Sequence, residues 1–95
     1  MFIAVLTYTK PLECVDKYLA EHRAFLAEEY AKGTLLMSGP RKNRVGGVIM
    51  IKTGTLEEAE EILSRDPFRI HFIADYNIIE FTPTLFCSDA LSELL

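Results

Sequence analysis

The succession of periodicities along this chain predicts an α+β fold: a ferredoxin-like βαββαβ unit with a four-stranded antiparallel sheet. Three observations carry that reading. Four short runs rich in β-branched and aromatic residues are separated by two stretches of helical period. A short polar segment joins the second run to the third. Apolar side chains stand on both faces of strands one, three and four.

The first strand is expected over residues 2–9, where Phe2, Ile3, Val5, Leu6 and Tyr8 lie among β-branched neighbours and Lys10-Pro11 stops the run. From Leu12 the period changes. Leu12, Val15, Leu19, His22, Leu26 and Tyr30 recur at three- and four-residue steps, the stripe of an amphipathic helix, and Gly33 punctuates its end. Residues 34–38 form the second strand, ended by Gly39-Pro40, and residues 45–52 the third. The polar link Arg41-Lys42-Asn43-Arg44 is short enough to make the pair an antiparallel hairpin. Thr55-Leu56-Glu57-Glu58 reads as a capping box, opening a second helix that buries Leu56, Ala59, Ile62 and Leu63. Asp66-Pro67 ends that helix and suits the start of another turn. The fourth strand is expected over residues 76–82, closed by Pro83. Ser88 caps a short apolar helix or arm containing Ala90, Leu91, Leu94 and Leu95.

With 95 residues there is chain for one core only, expected over residues 1–84 with residues 85–95 as an arm. Hydrophobic residues make up 49%, and mean hydropathy is +0.15, apolar for a monomer of this size. Two helices cover one sheet face, so the apolar second face calls for a partner, most simply another copy of the chain. A homodimer is therefore expected. The net charge of −4 disfavours nucleic acid and anionic membrane as partners. No apolar run approaches the roughly 20 residues of a membrane span. The first ten residues lack the basic region of a signal peptide, which points to the cytoplasm. Cys14 and Cys87 read as ordinary reduced thiols, and without a C-x-x-C a soft-metal carrier is excluded. Residues 45–52 contain no aromatic residue, which argues against an RNA-recognition strand.

His22 is the most informative side chain, because its stripe faces the sheet, and a buried imidazole is either hydrogen-bonded or functional. Asp66 before Pro67 is a good helix cap. Equally, it could approach His22 from the end of the second helix, fix the imidazole tautomer and free the other nitrogen as a general base. Ser38, Gly39 and Pro40 are either a plain turn or a hydroxyl and amides placed to hold a substrate oxygen. Arg41, Lys42 and Arg44 are either solvated hairpin charge or a cationic patch for a small carboxylate or enolate. Tyr8, Phe25, Phe68 and Phe72 are core or pocket wall. His71 has no ligand spacing to His22, and neither H-x-x-x-H nor E-x-x-H occurs, so no metal is expected. Ser38 lacks a nucleophile elbow.

Several motifs in order resemble the YciI-like (YCII-related) family: His22-Arg23-Ala24-Phe25-Leu26, Ser38-Gly39-Pro40-Arg41, Arg44-Val45-Gly46-Gly47, Asp66-Pro67-Phe68, and the stretch from Ala74-Asp75-Tyr76 to Thr82-Pro83. The resemblance runs from about Phe2 to Thr84. It implies a subunit that dimerises into an α+β barrel, and an active-site dyad whose matching positions are His22 and Asp66. Beside that dyad, the reading of the residues themselves places substrate contacts at Ser38, Gly39, Pro40, Arg41 and Phe68, and expects a small-molecule ligand and no cofactor. One similar group eliminates chloride from a chlorinated hydroxyquinol, which suggests lyase chemistry. The chain departs from the family pattern around residues 70–72, where bulky Phe72 is expected to reshape the pocket. Two functions follow as expectations: a cofactor-independent lyase or isomerase for a small carbonyl or phenolic compound, or a non-catalytic module for ligand binding or assembly.

Overall fold

A computed structural model describes residues 1–95. The sheet runs β2-β3-β1-β4, with β1 at Phe2–Tyr8, β2 at Leu35–Pro40, β3 at Gly46–Ile51 and β4 at Ala74–Glu80. All neighbours are antiparallel, so the fold is ferredoxin-like α+β, as the sequence predicts. Helices α1 (Leu12–Lys32) and α2 (Leu56–Leu63) form the two crossovers, and the single turn α3 (Pro67–Ile70) leads into β4. A last helix, α4 (Asp89–Leu94), is capped by Ser88, whose hydroxyl accepts from Leu91 N–H.

Strand alternation decides which side chains form the core. Phe2, Ala4 and Leu6 share a face with Ile49 and Ile51 across the β1–β3 pairing, and all five are buried. They pack with Val15 and Phe25 of α1, Ala59, Ile62 and Leu63 of α2, and Phe68 of α3. Each large apolar side chain buried there contributes roughly 1.5–3 kcal/mol. The opposite face carries Ile3, Val5, Val48 and Met50, half-buried, with Met37 and Ile79 exposed.

Several boundaries and faces differ from expectation. β2 continues through Gly39-Pro40, because Pro40 sits on the sheet's edge strand, where a missing N–H costs little. β4 begins at Ala74 and ends at Glu80, since its length follows the pairing with β1, from Tyr8↔Ala74 to Phe2↔Glu80. Leu56 is exposed rather than part of the buried stripe. Thr55 caps α2 by accepting from Glu58 N–H, but the Glu58 side chain does not reach back. On α1 the buried stripe is Val15, Phe25 and Glu29, with Leu19, His22 and Leu26 half-buried and Leu12 and Tyr30 exposed at its ends.

Candidate active site

The end of α2 places Asp66 where the chain must turn. Its amide donates to Leu63 O, and Pro67, whose φ suits a first helical position, starts α3. The Asp66 carboxylate is fully buried and receives three donors. Oδ1 accepts from Phe68 N–H at 3.0 Å and from His22 Nδ1 at 2.7 Å, and Oδ2 accepts from the Tyr76 hydroxyl at 2.6 Å. Those bonds compensate a charge that would be prohibitive alone in such a place.

His22 is thereby oriented. With Nδ1–H donating to Asp66, Nε2 carries the lone pair of the neutral ring and has no partner within the chain. Its ring lies flat on Phe68, with centroids 4.0 Å apart and planes 6° apart. Phe68 in turn meets the edge of Tyr8 at 5.8 Å. On the far side of the carboxylate, the Arg69 guanidinium lies over the Tyr76 ring at 5.0 Å and pairs with Glu60 at 3.1 Å. Burial, and then the Asp66 charge and its hydrogen bond, drive the Tyr76 phenol far above its usual range, against the opposing Arg69 charge. Tyr76 therefore stays a donor. Burial also raises the Tyr8 phenol, helped by Asp16 and Asp66 and opposed by Arg44.

His22 opens onto a cleft of about 160 Å³ between α1 and the β1-β3-β2 side of the sheet. Leu6, Leu19, Leu26 and Ile49 supply its apolar wall, and Tyr8, His22, Arg23 and Ser38 its polar side chains. Gly39, Gly46 and Gly47 contribute backbone only. Gly46 has no alternative, because a Cβ there would stand 1.7 Å from Leu6 O. The cleft offers an acceptor at Nε2, hydroxyls from Tyr8 and Ser38, and one guanidinium, all against an apolar surface. That combination suits proton transfer on a small, flat polar molecule.

The structure thus brings together His22, Asp66, Ser38, Gly39 and Pro40. Ser38 Oγ is already bonded to the Tyr30 hydroxyl at 2.7 Å. Arg41 lies outside the cleft lining, its Nη1 donating to Leu6 O at 3.3 Å and Thr7 Oγ1 at 2.9 Å. Phe68 is 1% exposed and supports the imidazole from behind rather than lining the cleft. Phe25 belongs to the core. Phe72, expected to reshape the pocket, is not among the residues that line the cleft; its backbone is left-handed (φ 55°) and its side chain is 76% exposed. His71 stacks on Tyr18 at 4.0 Å. No cluster of three or more His, Cys, Asp or Glu side chains is assembled.

Two contributors escape the sequence reading. Tyr76 is in register with Leu6, so strand alternation puts it on the core side, where a phenol needs an acceptor; that signal was available. Arg23 follows His22 on α1, and helical spacing alone does not send it to the cleft.

Comparison with known proteins agrees with this architecture. No curated protein matches the chain. Among solved structures, 5-chloro-2-hydroxyhydroquinone dehydrochlorinase (TftG) from Burkholderia phenoliruptrix AC1100, in complex with 2,5-dihydroxybenzoquinone, is similar in fold. It is 17% identical, with a TM-score of 0.71 over 86% of this chain and 94% of that one. The model of the YCII-related domain matches residues 1–82, and the chain belongs to the YCII-related family.

Proposed function

We propose that the chain is a cofactor-independent lyase or isomerase for a small carbonyl or phenolic compound, with His22 as general acid and base and Asp66 as its positioning partner. The observation that carries this is the imidazole whose Nδ1 is tied to a buried carboxylate while Nε2 is free beside the cleft. Nε2 takes a proton from a hydroxyl or from carbon next to a carbonyl. In the lyase case the released electron pair forms a double bond as a leaving group departs from the β-carbon, and the imidazolium gives its proton to the departing group or to water. In the isomerase case the double bond shifts and the imidazolium returns its proton to the far carbon. Asp66 stabilises the imidazolium, while hydroxyls at Tyr8 and Ser38 face the developing oxyanion. Likeness in fold to an enzyme named for dehydrochlorination supports the lyase class.

The alternative is a ligand-binding or assembly module in which the pair is structural. It draws on Asp66, which caps α3 whether or not His22 does chemistry. The test is a panel of hydroxylated and chlorinated aromatics and 2-carbonyl compounds, followed by NMR for chloride-releasing turnover and solvent deuterium incorporation. Wild-type protein is expected to turn over at least one compound, and His22→Gln to lose roughly 10²–10⁴-fold while keeping its circular dichroism. Ligands that raise Tm but are never transformed would establish the alternative.

The same reading takes the working unit to be a homodimer joined through the sheet face that bears Met37 and Ile79. No helix is long and apolar enough to cross a membrane.

A further inference from the structure

Of the five arginines, four are committed. Arg44 pairs with Asp16, Arg65 with Glu29 and Glu61, Arg69 with Glu60, and Arg41 bonds Leu6 O and Thr7 Oγ1. Arg23 has neither an ion pair nor a hydrogen bond, and it lines the cleft beside His22. A guanidinium is a planar fork of donors matched to two oxygens of one anion, and it keeps its charge throughout the working pH range. The surroundings sharpen the point. The chain carries a net charge of −4, so an anion approaching it is repelled unless a local cation receives it. Within the cleft, His22 presents a lone pair and Asp66 lies directly behind it, so neither attracts an anion to the neutral site. Of the cations the hairpin was expected to supply, Arg41 and Arg44 are occupied elsewhere, and Lys42 does not line the cleft.

We propose that Arg23 is the substrate-recognising residue of this cleft, and that the substrate is a small planar organic anion, its carboxylate or ionised hydroxyl held by the guanidinium while its reacting proton faces His22. This rests on the reading of the cleft as the substrate site. It narrows the carbonyl or phenolic class to members charged before they bind.

Benzoate and benzamide, alike in shape and different in charge, test it by NMR titration or calorimetry on the intact protein. Wild type is expected to bind benzoate at least tenfold more tightly than benzamide, with the preference weakening as salt rises. Arg23→Gln is expected to bring the ratio to about one, Arg23→Lys to keep part of it, and His22→Gln to leave it in place. Arg23 is exposed, and circular dichroism of each variant establishes that it is folded. No preference in wild type, or a preference that survives Arg23→Gln, overturns the proposal. A preference lost in His22→Gln but kept in Arg23→Gln also overturns it, assigning the anion to the imidazolium and leaving the proton-transfer reading intact. Conversely, an Arg23-dependent preference in a protein that transforms nothing upholds it while the catalytic reading fails.

Discussion

Asp66 shows why single-residue alternatives in a sequence need not exclude one another. A helix cap and a partner for histidine compete as readings of Asp-Pro, yet one oxygen, Oδ1, serves both Phe68 N–H and His22 Nδ1. A carboxylate has lone pairs enough for this, and its burial makes every donor count. Tyr76 on Oδ2 is the third. Tyr76→Phe is expected to cost about 1–3 kcal/mol at neutral pH, because it leaves a buried carboxylate oxygen without its donor. The alkaline limb supplies the sign. A phenol held protonated in the folded state ionises on unfolding once the pH passes about 10, so wild-type stability declines above that pH. Tyr76→Phe should decline less there, as denaturant titrations from pH 7 to 11 would show; parallel curves would contradict the assignment.

Helix α1 is the element on which the site depends, since it carries both His22 and Arg23. Its C-terminus is closed by Gly33 in the left-handed region (φ 79°), with Gly33 N–H on Tyr30 O and Thr34 N–H on Glu29 O. Glu29, 1% exposed, ties that end to Arg65, two residues beyond α2. Burial alone would raise its carboxyl, but hydrogen bonds from Arg65, Thr34 and Lys32 outweigh burial and hold it below the usual range. A lowered folded value means stability that is present above the ordinary value of 4.5 and is lost as pH falls through the folded one. Glu29→Gln should therefore destabilise by about 1–3 kcal/mol at pH 7 and by progressively less below pH 4.5, measured by Tm against pH. At this scale the helical period of α1 was legible because apolar residues recur along it, whereas buried Glu29 was not. Its partners Thr34 and Arg65 are set by how the chain folds back, and nothing in a local window reports that.

At the scale of the whole molecule, the unresolved demand is the apolar sheet face, where Ile79 is 47% exposed and Met37 55%. Light scattering is expected to give twice the 10.8 kDa chain mass, and Ile79→Glu to return the monomer without unfolding it. A wild type that runs as a monomer would remove the homodimer from the reading. The sequence by itself determined the order of elements and the capping at Thr55, Asp66 and Ser88, because each is a property of neighbours within a few residues, whereas strand one is apolar on both faces and only packing decided that Phe2, Ala4 and Leu6 are the buried set. Only the tertiary structure decided that Tyr76 closes the network behind His22, that Arg41 is spent on β1, and that Arg23 faces the cleft. Those outcomes depend on strand register and on the rotation of α1 over the sheet, which packing of the entire core sets at once.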